Sequence, residues 1–308
     1  MTTLINASAD YVYGFSGTSD FGVANTSCFA ACQTGLKRSD DNGLTWYSAR
    51  STIKQQLNIA ITSVVIAPDY HNEHLILAGA AGGLLRSQDD GESWTSIVLP
   101  TPPPTISALA ISPDFTQDGM IFAATLEDGV LCSIDRGNTW VAWNFGLLDL
   151  NVHHLAISPS FNKDELLIVG TESGIYRSTN GGRAWKEIEL PCGFRTVLTL
   201  SFSPTYSVDQ IVYAGTENDG LYQSNDCGIN WHRLGQDSLN GTVSGVCPNA
   251  DGLLLIHEGR VFLSTDIGST FQPWQPMANN SLETTAIFAP NSLSAVLAGF
   301  TGGVLLRI

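Results

Sequence analysis

Residues Arg38–Trp46 read RSDDNGLTW, and the chain repeats nearly the same stretch at RSQDDGESW (86–94), CSIDRGNTW (132–140), RSTNGGRAW (177–185), QSNDCGINW (223–231) and LSTDIGSTF (263–271). Each stretch has the chemistry of a tight hairpin. Asp or Asn folds its side chain back onto nearby backbone N–H groups, Gly supplies a positive φ, and Trp or Phe offers a ring for packing. The serines that open the turns, Ser39, Ser87, Ser133, Ser178, Ser224 and Ser264, lie 48, 46, 45, 46 and 40 residues apart. That period belongs to propellers and solenoids.

Working outward from each turn, the same four apolar runs recur. Around Ser133 they are SALAISP, MIFAAT, GVLCS and NTWVAW; around Ser224 they are TLSFSP, QIVYAGT, GLYQS and INWHRL. Four short strands separated by turn signals make one antiparallel blade. The repeated turn is then the hairpin between third and fourth strands. The expected fold is all-β, a seven-bladed β-propeller of four-stranded antiparallel blades, with residues 1–308 as a single domain. Six blades carry the turn. The seventh, TAIFAPNSLSAVLAGFTGGVLLRI, has three strands and takes its fourth from the N-terminal segment MTTLINA, which closes the ring and removes its open edges. Six blades with residues 1–30 as an appendage is the alternative count.

Composition agrees with a turn-rich β protein: 30 Gly, 13 Pro and only 14% charged residues, where helix surfaces are usually rich in Glu and Lys. A net charge of −15 repels phosphate backbones and anionic lipid, so nucleic acid is not an expected partner. No run of apolar residues reaches the length of a membrane span, and MTTLINASADYVYGF has no secretory pattern, so the expectation is no membrane insertion and a cytoplasmic location. The six cysteines show no metal-like spacing and are read as reduced packing residues; no metal and no cofactor is expected.

The pattern S-x-D-x-G-x-[TS]-W resembles the Asp-box, or BNR, repeat of sialidases, xyloglucanases, sortilin ectodomains and the photosystem II assembly factors of propeller type. Ser39/Asp41/Gly43/Trp46, Ser87/Asp89/Gly91/Trp94, Ser133/Asp135/Gly137/Trp140 and Ser264/Asp266/Gly268/Phe271 match it; Asn180, Ala184 and Asn230 depart, which suggests softer turns in the fourth and fifth units. The resemblance implies a propeller and leaves the activity open. Sialidases need an arginine cluster and a Tyr/Glu pair that this chain does not show. Xyloglucanases build their cleft between two propellers, with one catalytic carboxylate from each, and this chain has one propeller. Assembly factors of the single-ring kind match the architecture but typically carry a basic patch that is missing here.

Residues repeated in every unit serve the fold, so function is expected where the repeat breaks. Turns between second and third strands share a face with the blade-to-blade connections. Four consecutive blades place Glu127 and Asp128, Glu172, Glu217 and Asp219, then His257 and Glu258 on one arc of that face. Such an acidic crescent suits a basic protein segment, a cation or a hydroxyl-rich sugar. The connections add Phe145, Leu147 and Leu148, and the aromatic–cation pair Phe194–Arg195, the chemistry of interface hot spots. The expected function is a non-catalytic binding or scaffolding propeller that recognises a protein partner, a glycan or a small molecule, its binding residues being Glu127, Glu172, Glu217, Asp219, His257, Glu258, Phe145 and Arg195. The alternative is a carbohydrate-active hydrolase or lyase, for which Asp149, Glu172, Asp128, Asp219 and His154 are the candidate catalytic groups.

Overall fold

The computed structural model describes residues 10–18, 20–22, 26–49, 59–99, 102–235, 238–278 and 281–308. They form a seven-bladed β-propeller whose sheets follow one another in chain order, spanning 12–48, 61–97, 105–142, 152–188, 197–234, 243–273 and 284–307. All pairing is antiparallel. Blade 4 illustrates the pattern, with strands Val152–Ile157, Leu167–Thr171, Ile175–Ser178 and Lys186–Ile188 hydrogen-bonded in that order. Blade 7 shows three strands among the described residues, and the N-terminal segment expected to complete it lies outside them. Ring closure is visible in the packing of Val12–Gly17 against Thr284–Phe288. Gly299 leaves room there for Val12, whose side chain would stand 2.5 Å from any added Cβ.

The second strand of each blade is packed on both faces by neighbouring blades, which explains why it reads as an apolar run rather than an alternating one. CFAAC, ILAGA, LIVGT and VYAGT are buried at every position. The core is therefore a ring of interblade clusters. Phe122, Val152, Leu155 and Trp185 fill the gap between blades 3 and 4, while Ile168, Val197, Leu200 and Trp231 fill the next.

The repeated turns fold by side-chain chemistry. In blade 3, Ser133 Oγ donates to Asp135 Oδ1 (2.8 Å) and accepts from Gly137 N (2.8 Å). Asp135 also accepts from Thr139 N (2.8 Å) and Thr139 Oγ1 (2.6 Å), and Trp140 Nε1 donates to Gly137 O (3.1 Å). In the fifth unit Asn230 Nδ2 donates to Asp226 Oδ2 (2.7 Å) and so restores the bond a Thr would make. Only the fourth unit is depleted, because Asn180 Oδ1 accepts from Ser178 and from Ala184 N and no hydroxyl follows.

Blades 2 to 5 each carry a single helical turn between first and second strands, Tyr70–Glu73, Phe115–Asp118, Phe161–Asp164 and Tyr206–Asp209. Its leading aromatic ring is buried in each case, so the SP-like segment docks a ring under the blade. These turns meet the S-x-D-x-G hairpins on one face, as in Arg136 to Glu73 at 3.0 Å. His71 and His74 lie there too, but they turn to different carboxylates, Asp20 and Asp90.

Candidate functional site on the loop face

The opposite face is built from the turns between second and third strands and the connections laid over them. Backbone bonds fix that arrangement: Gly129 N donates to Leu150 O (2.9 Å), Gly220 N to Gly241 O (2.9 Å) and Thr284 N to Gly259 O (2.8 Å). Each turn is thereby tied to the connection leading to the next blade.

The acidic residues fall into three local groups. In the first, Asn151 is the hub: its Oδ1 accepts from Glu127 N (3.1 Å) and its Nδ2 donates to Glu172 Oε2 (3.0 Å). Asp149 completes this group by accepting from Asn151 N (3.0 Å) and Ser173 N (2.7 Å). Burial pushes the Asp149 carboxyl up, but hydrogen bonds from Ser173 and the Asn151 amide outweigh it and hold the pKa below the ordinary carboxylate value. Asp128 points into solvent, and its backbone carbonyl accepts from Asn144 Nδ2 (2.8 Å).

The second group is centred on Asp219, which accepts from Tyr222 Oη at 2.6 Å and lies 3.7 Å from Arg233. Burial again opposes ionisation there; bonds from Tyr222 and Cys192 and the charges of Arg233 and Arg195 override it and lower the pKa. Arg195 donates to Phe194 O (2.7 Å), so the connection between blades 4 and 5 curls its cation toward Asp219 and leaves Phe194 in solvent. The third group is organised by Thr242. Its N–H donates to Glu258 Oε1 (2.7 Å), its hydroxyl donates to Glu217 O, and its carbonyl lies 3.2 Å from His257 Nδ1, which fixes that nitrogen as a donor. His257 is buried with its ring against Phe262.

The remaining candidates separate by burial. Phe145 and Leu148 are each 80% exposed and Phe194 73%, whereas Leu147 is packed between blades 3 and 4. Phe145 sits at the seam of those blades, its carbonyl accepting from Trp185 N (2.8 Å). His154 lies on the innermost strand opposite Gly170, and burial pulls its pKa down to about 4. Its Nδ1 is sealed from water without a hydrogen-bond partner, so the ring is neutral near pH 7. Asn151 and Thr242, which hold the acidic groups in place, were not among the residues singled out from sequence. Their signal is positional: each directly precedes the first strand of its blade.

Two pockets open on this face among the described residues: a cavity of about 400 Å³ on blade 4 lined by Ser173, Gly174, Glu187, Ile188, Glu189, Leu190, Gly193 and Phe194, and one of about 230 Å³ on blade 6 beside Gly259, Arg260 and Met277. Among the described residues no group of three or more His, Cys, Asp or Glu side chains is placed to hold a metal ion, and no helix is long and apolar enough to cross a membrane.

Comparison with known proteins supports the architecture. The family model described as sortilin, neurotensin receptor 3, matches residues 128–244, from within blade 3 to the start of blade 6. A search of curated proteins finds no match. Among solved structures, YCF48 bound to D1 peptide superposes with a TM-score of 0.71 at 18% identity, covering 98% of this chain and 92% of that one. The GH74 xyloglucanase from Xanthomonas campestris gives a TM-score of 0.73 at 15% identity, with 99% of this chain covering 52% of that one. An extracellular signalling-system domain from B. thetaiotaomicron gives 0.72 at 18% identity over 98% of this chain and 39% of its own. The chain thus spans about half of the xyloglucanase and less of the B. thetaiotaomicron protein. At these identities the likeness is one of fold: this chain is similar to propellers that bind and to propellers that hydrolyse.

Proposed function

We propose that this chain is a non-catalytic binding or scaffolding propeller of Asp-box type that recognises a protein segment through the loop face of blades 3 to 6. The observation that carries this reading is where the repeat breaks. Residues common to the units are engaged in turns and interblade gaps, whereas the unrepeated Phe145, Leu148 and Phe194 stand exposed beside Glu127, Glu172 and Glu217. Exposed aromatic and aliphatic anchors rimmed by charge of one sign suit a partner that is both apolar and basic. The similar propeller YCF48 takes a peptide, which is in keeping with this use of the face.

A hydrolase would need one carboxyl held protonated near neutrality beside an ionised partner. Asp149 and Asp219, the part-buried candidates, are both shifted the other way.

The test is selection from a random peptide library on the wild-type chain and on a Glu127→Gln/Glu172→Gln/Glu217→Gln variant. Peptides rich in Arg or Lys and aromatic residues should be enriched by the wild type and lost with the variant. Enrichment that is indifferent to the three substitutions, or to Phe145→Ala, would remove this face from consideration.

A further inference from the structure

The pocket on blade 4 differs in chemistry from the one on blade 6, whose lining holds Arg260 and no carboxylate. Its floor belongs to the outermost strand and the residues after it, where the fourth unit reads Lys186-Glu-Ile-Glu-Leu190; the corresponding segments elsewhere read TSIVL, VAWNF, HRLGQ and QPWQP. Glu187 lies in strand Lys186–Ile188 and Glu189 directly follows it, and both line the pocket. Neither carboxylate has a hydrogen-bond or ion-pair partner among the described residues, and both are exposed. Phe194, largely in solvent, lines the same pocket, together with Ile188 and the buried Leu190.

The nearest cations of the chain are unsuited to fill the gap. Arg195 is turned toward Asp219 and bonded to Phe194 O, and Lys186 is not among the residues that line the pocket. A cavity lined by an exposed aromatic ring, two carboxylates without a partner among the described residues, and the apolar Ile188 and Leu190 matches one kind of group. It fits a flat cation on an aliphatic chain, stacked on the ring and bonded to carboxylate oxygens. Arginine satisfies both demands, since its planar guanidinium stacks and offers paired donors, where the ammonium of lysine does neither as well.

From this, resting on the peptide-binding reading above, we infer that the pocket formed by Ser173, Gly174, Glu187, Glu189 and Phe194 is a subsite for an arginine side chain of an extended peptide. About 400 Å³ is within the range of sites that enclose a ligand group and ample for one side chain.

The test uses the full chain, ¹⁵N-labelled, titrated with the capped tripeptide Ac-Gly-Arg-Gly-NH2 and with its lysine and citrulline counterparts. Saturable amide shifts at Ser173, Gly174 and Gly193 are expected with the arginine peptide, at the roughly millimolar affinity of one anchored side chain. The citrulline peptide, isosteric but uncharged, should bind about tenfold more weakly, as expected when a charge-assisted bond is lost. Glu187→Gln/Glu189→Gln should abolish the preference for arginine over citrulline while leaving the rest of the spectrum in place, and Phe194→Ala should weaken both peptides. Equal binding of arginine and citrulline peptides, shifts mapping elsewhere, or no shift at all would overturn the assignment. Glu127, Glu172 and Glu217 do not line this pocket, so the library selection and this titration can fail independently.

Discussion

Ile267 occupies the position before the glycine of the sixth turn with φ at 57° and its side chain in solvent. A β-branched residue is the least suited to that left-handed conformation, at a cost of about 1–2 kcal/mol. The first unit places Asn42 at the same point, φ 59°, and the fourth places Gly181, φ 69°. Ile267→Asn should therefore stabilise the protein by about 1 kcal/mol, read as a higher urea midpoint at unchanged slope. Asp135→Ala is expected to act oppositely, costing about 2 kcal/mol, because Ser133, Thr139 and two backbone amides all lose their acceptor.

Acid dependence follows from two kinds of residue. Asp266 is held at about 2 by bonds from the Thr270 amide, Ser264 and the Thr270 hydroxyl, and Asp41, Asp89, Asp135 and Asp226 are lowered as well. For such groups the stabilisation is complete above the unfolded pKa near 4 and disappears as pH falls through the folded value. His154 acts in a higher window. Its pKa is depressed by burial to about 4 against about 6.5 unfolded, so the unfolded chain binds the extra proton and stability falls as pH drops from about 6.5 to 4. The whole shift corresponds to at most about 3 kcal/mol, and less in practice because the residue retains partial exposure. His154→Thr, the residue at the equivalent Thr199, should flatten the stability profile between pH 6.5 and 4 and leave the steeper loss below pH 4 intact. An unchanged slope in the upper window would show that His154 does not carry it.

Between neighbouring blades, arginines of the third strands reach forward to the next hairpin. Arg38 binds Asp90 O (2.5 Å), Arg86 binds Arg136 O (3.0 Å) and Arg177 binds Cys227 O (2.7 Å). Each acceptor is the carbonyl of a positive-φ residue, a group the hairpin itself leaves free. Arg86→Met, which keeps the apolar stem and removes the donor, should cost about 1–2 kcal/mol in denaturant unfolding. Blade 3 has Cys132 where blades 1, 2 and 4 have arginine, and its boundary with blade 4 is joined differently. Arg183 stacks on Trp143 with the guanidinium 5.2 Å from the ring centroid, and Trp185 Nε1 donates to Trp143 O (2.7 Å) instead of to its own hairpin glycine. That is the physical context of the irregular NGGRAW turn.

These elements also show why the fold could be read from sequence and the site only in part. A hairpin whose Ser, Asp, Gly and Trp bond within eight residues announces itself locally, and six copies announce the ring. Asn151 and Thr242 act across a blade, bonding residues more than fifteen positions away, and only their place just before a first strand marks them in sequence. The same holds for the blade 4 pocket, whose walls come from three separate segments. Of its lining residues Phe194 was legible, whereas the pair Glu187 and Glu189, absent from the corresponding segments of sister units, was not singled out.

Taken over the whole molecule, 29 acidic residues against 14 basic ones give a field that draws a cationic partner toward any face. If the loop face binds a basic peptide, association should slow several-fold between roughly 20 and 200 mM salt while dissociation changes little, which stopped-flow mixing with a selected peptide would measure. A salt-independent association rate would point to apolar docking at Phe145 and Leu148 as the dominant step.

The arginine bridges also determine which boundaries survive a cut chain. Between blades 2 and 3 the Arg86 bond joins strand to hairpin and does not pass through the connecting segment, whose Leu99 adds an apolar side chain to the interblade cluster. Between blades 3 and 4 the ties run through Trp143 and Phe145, which belong to the connecting segment, so there it is a strut. A protease site engineered after Val98 should yield a nicked ring that stays assembled under native conditions. The same site placed after Phe145 frees one end of the segment that carries these ties and should lower the urea midpoint of the nicked ring more than the cut after Val98 does.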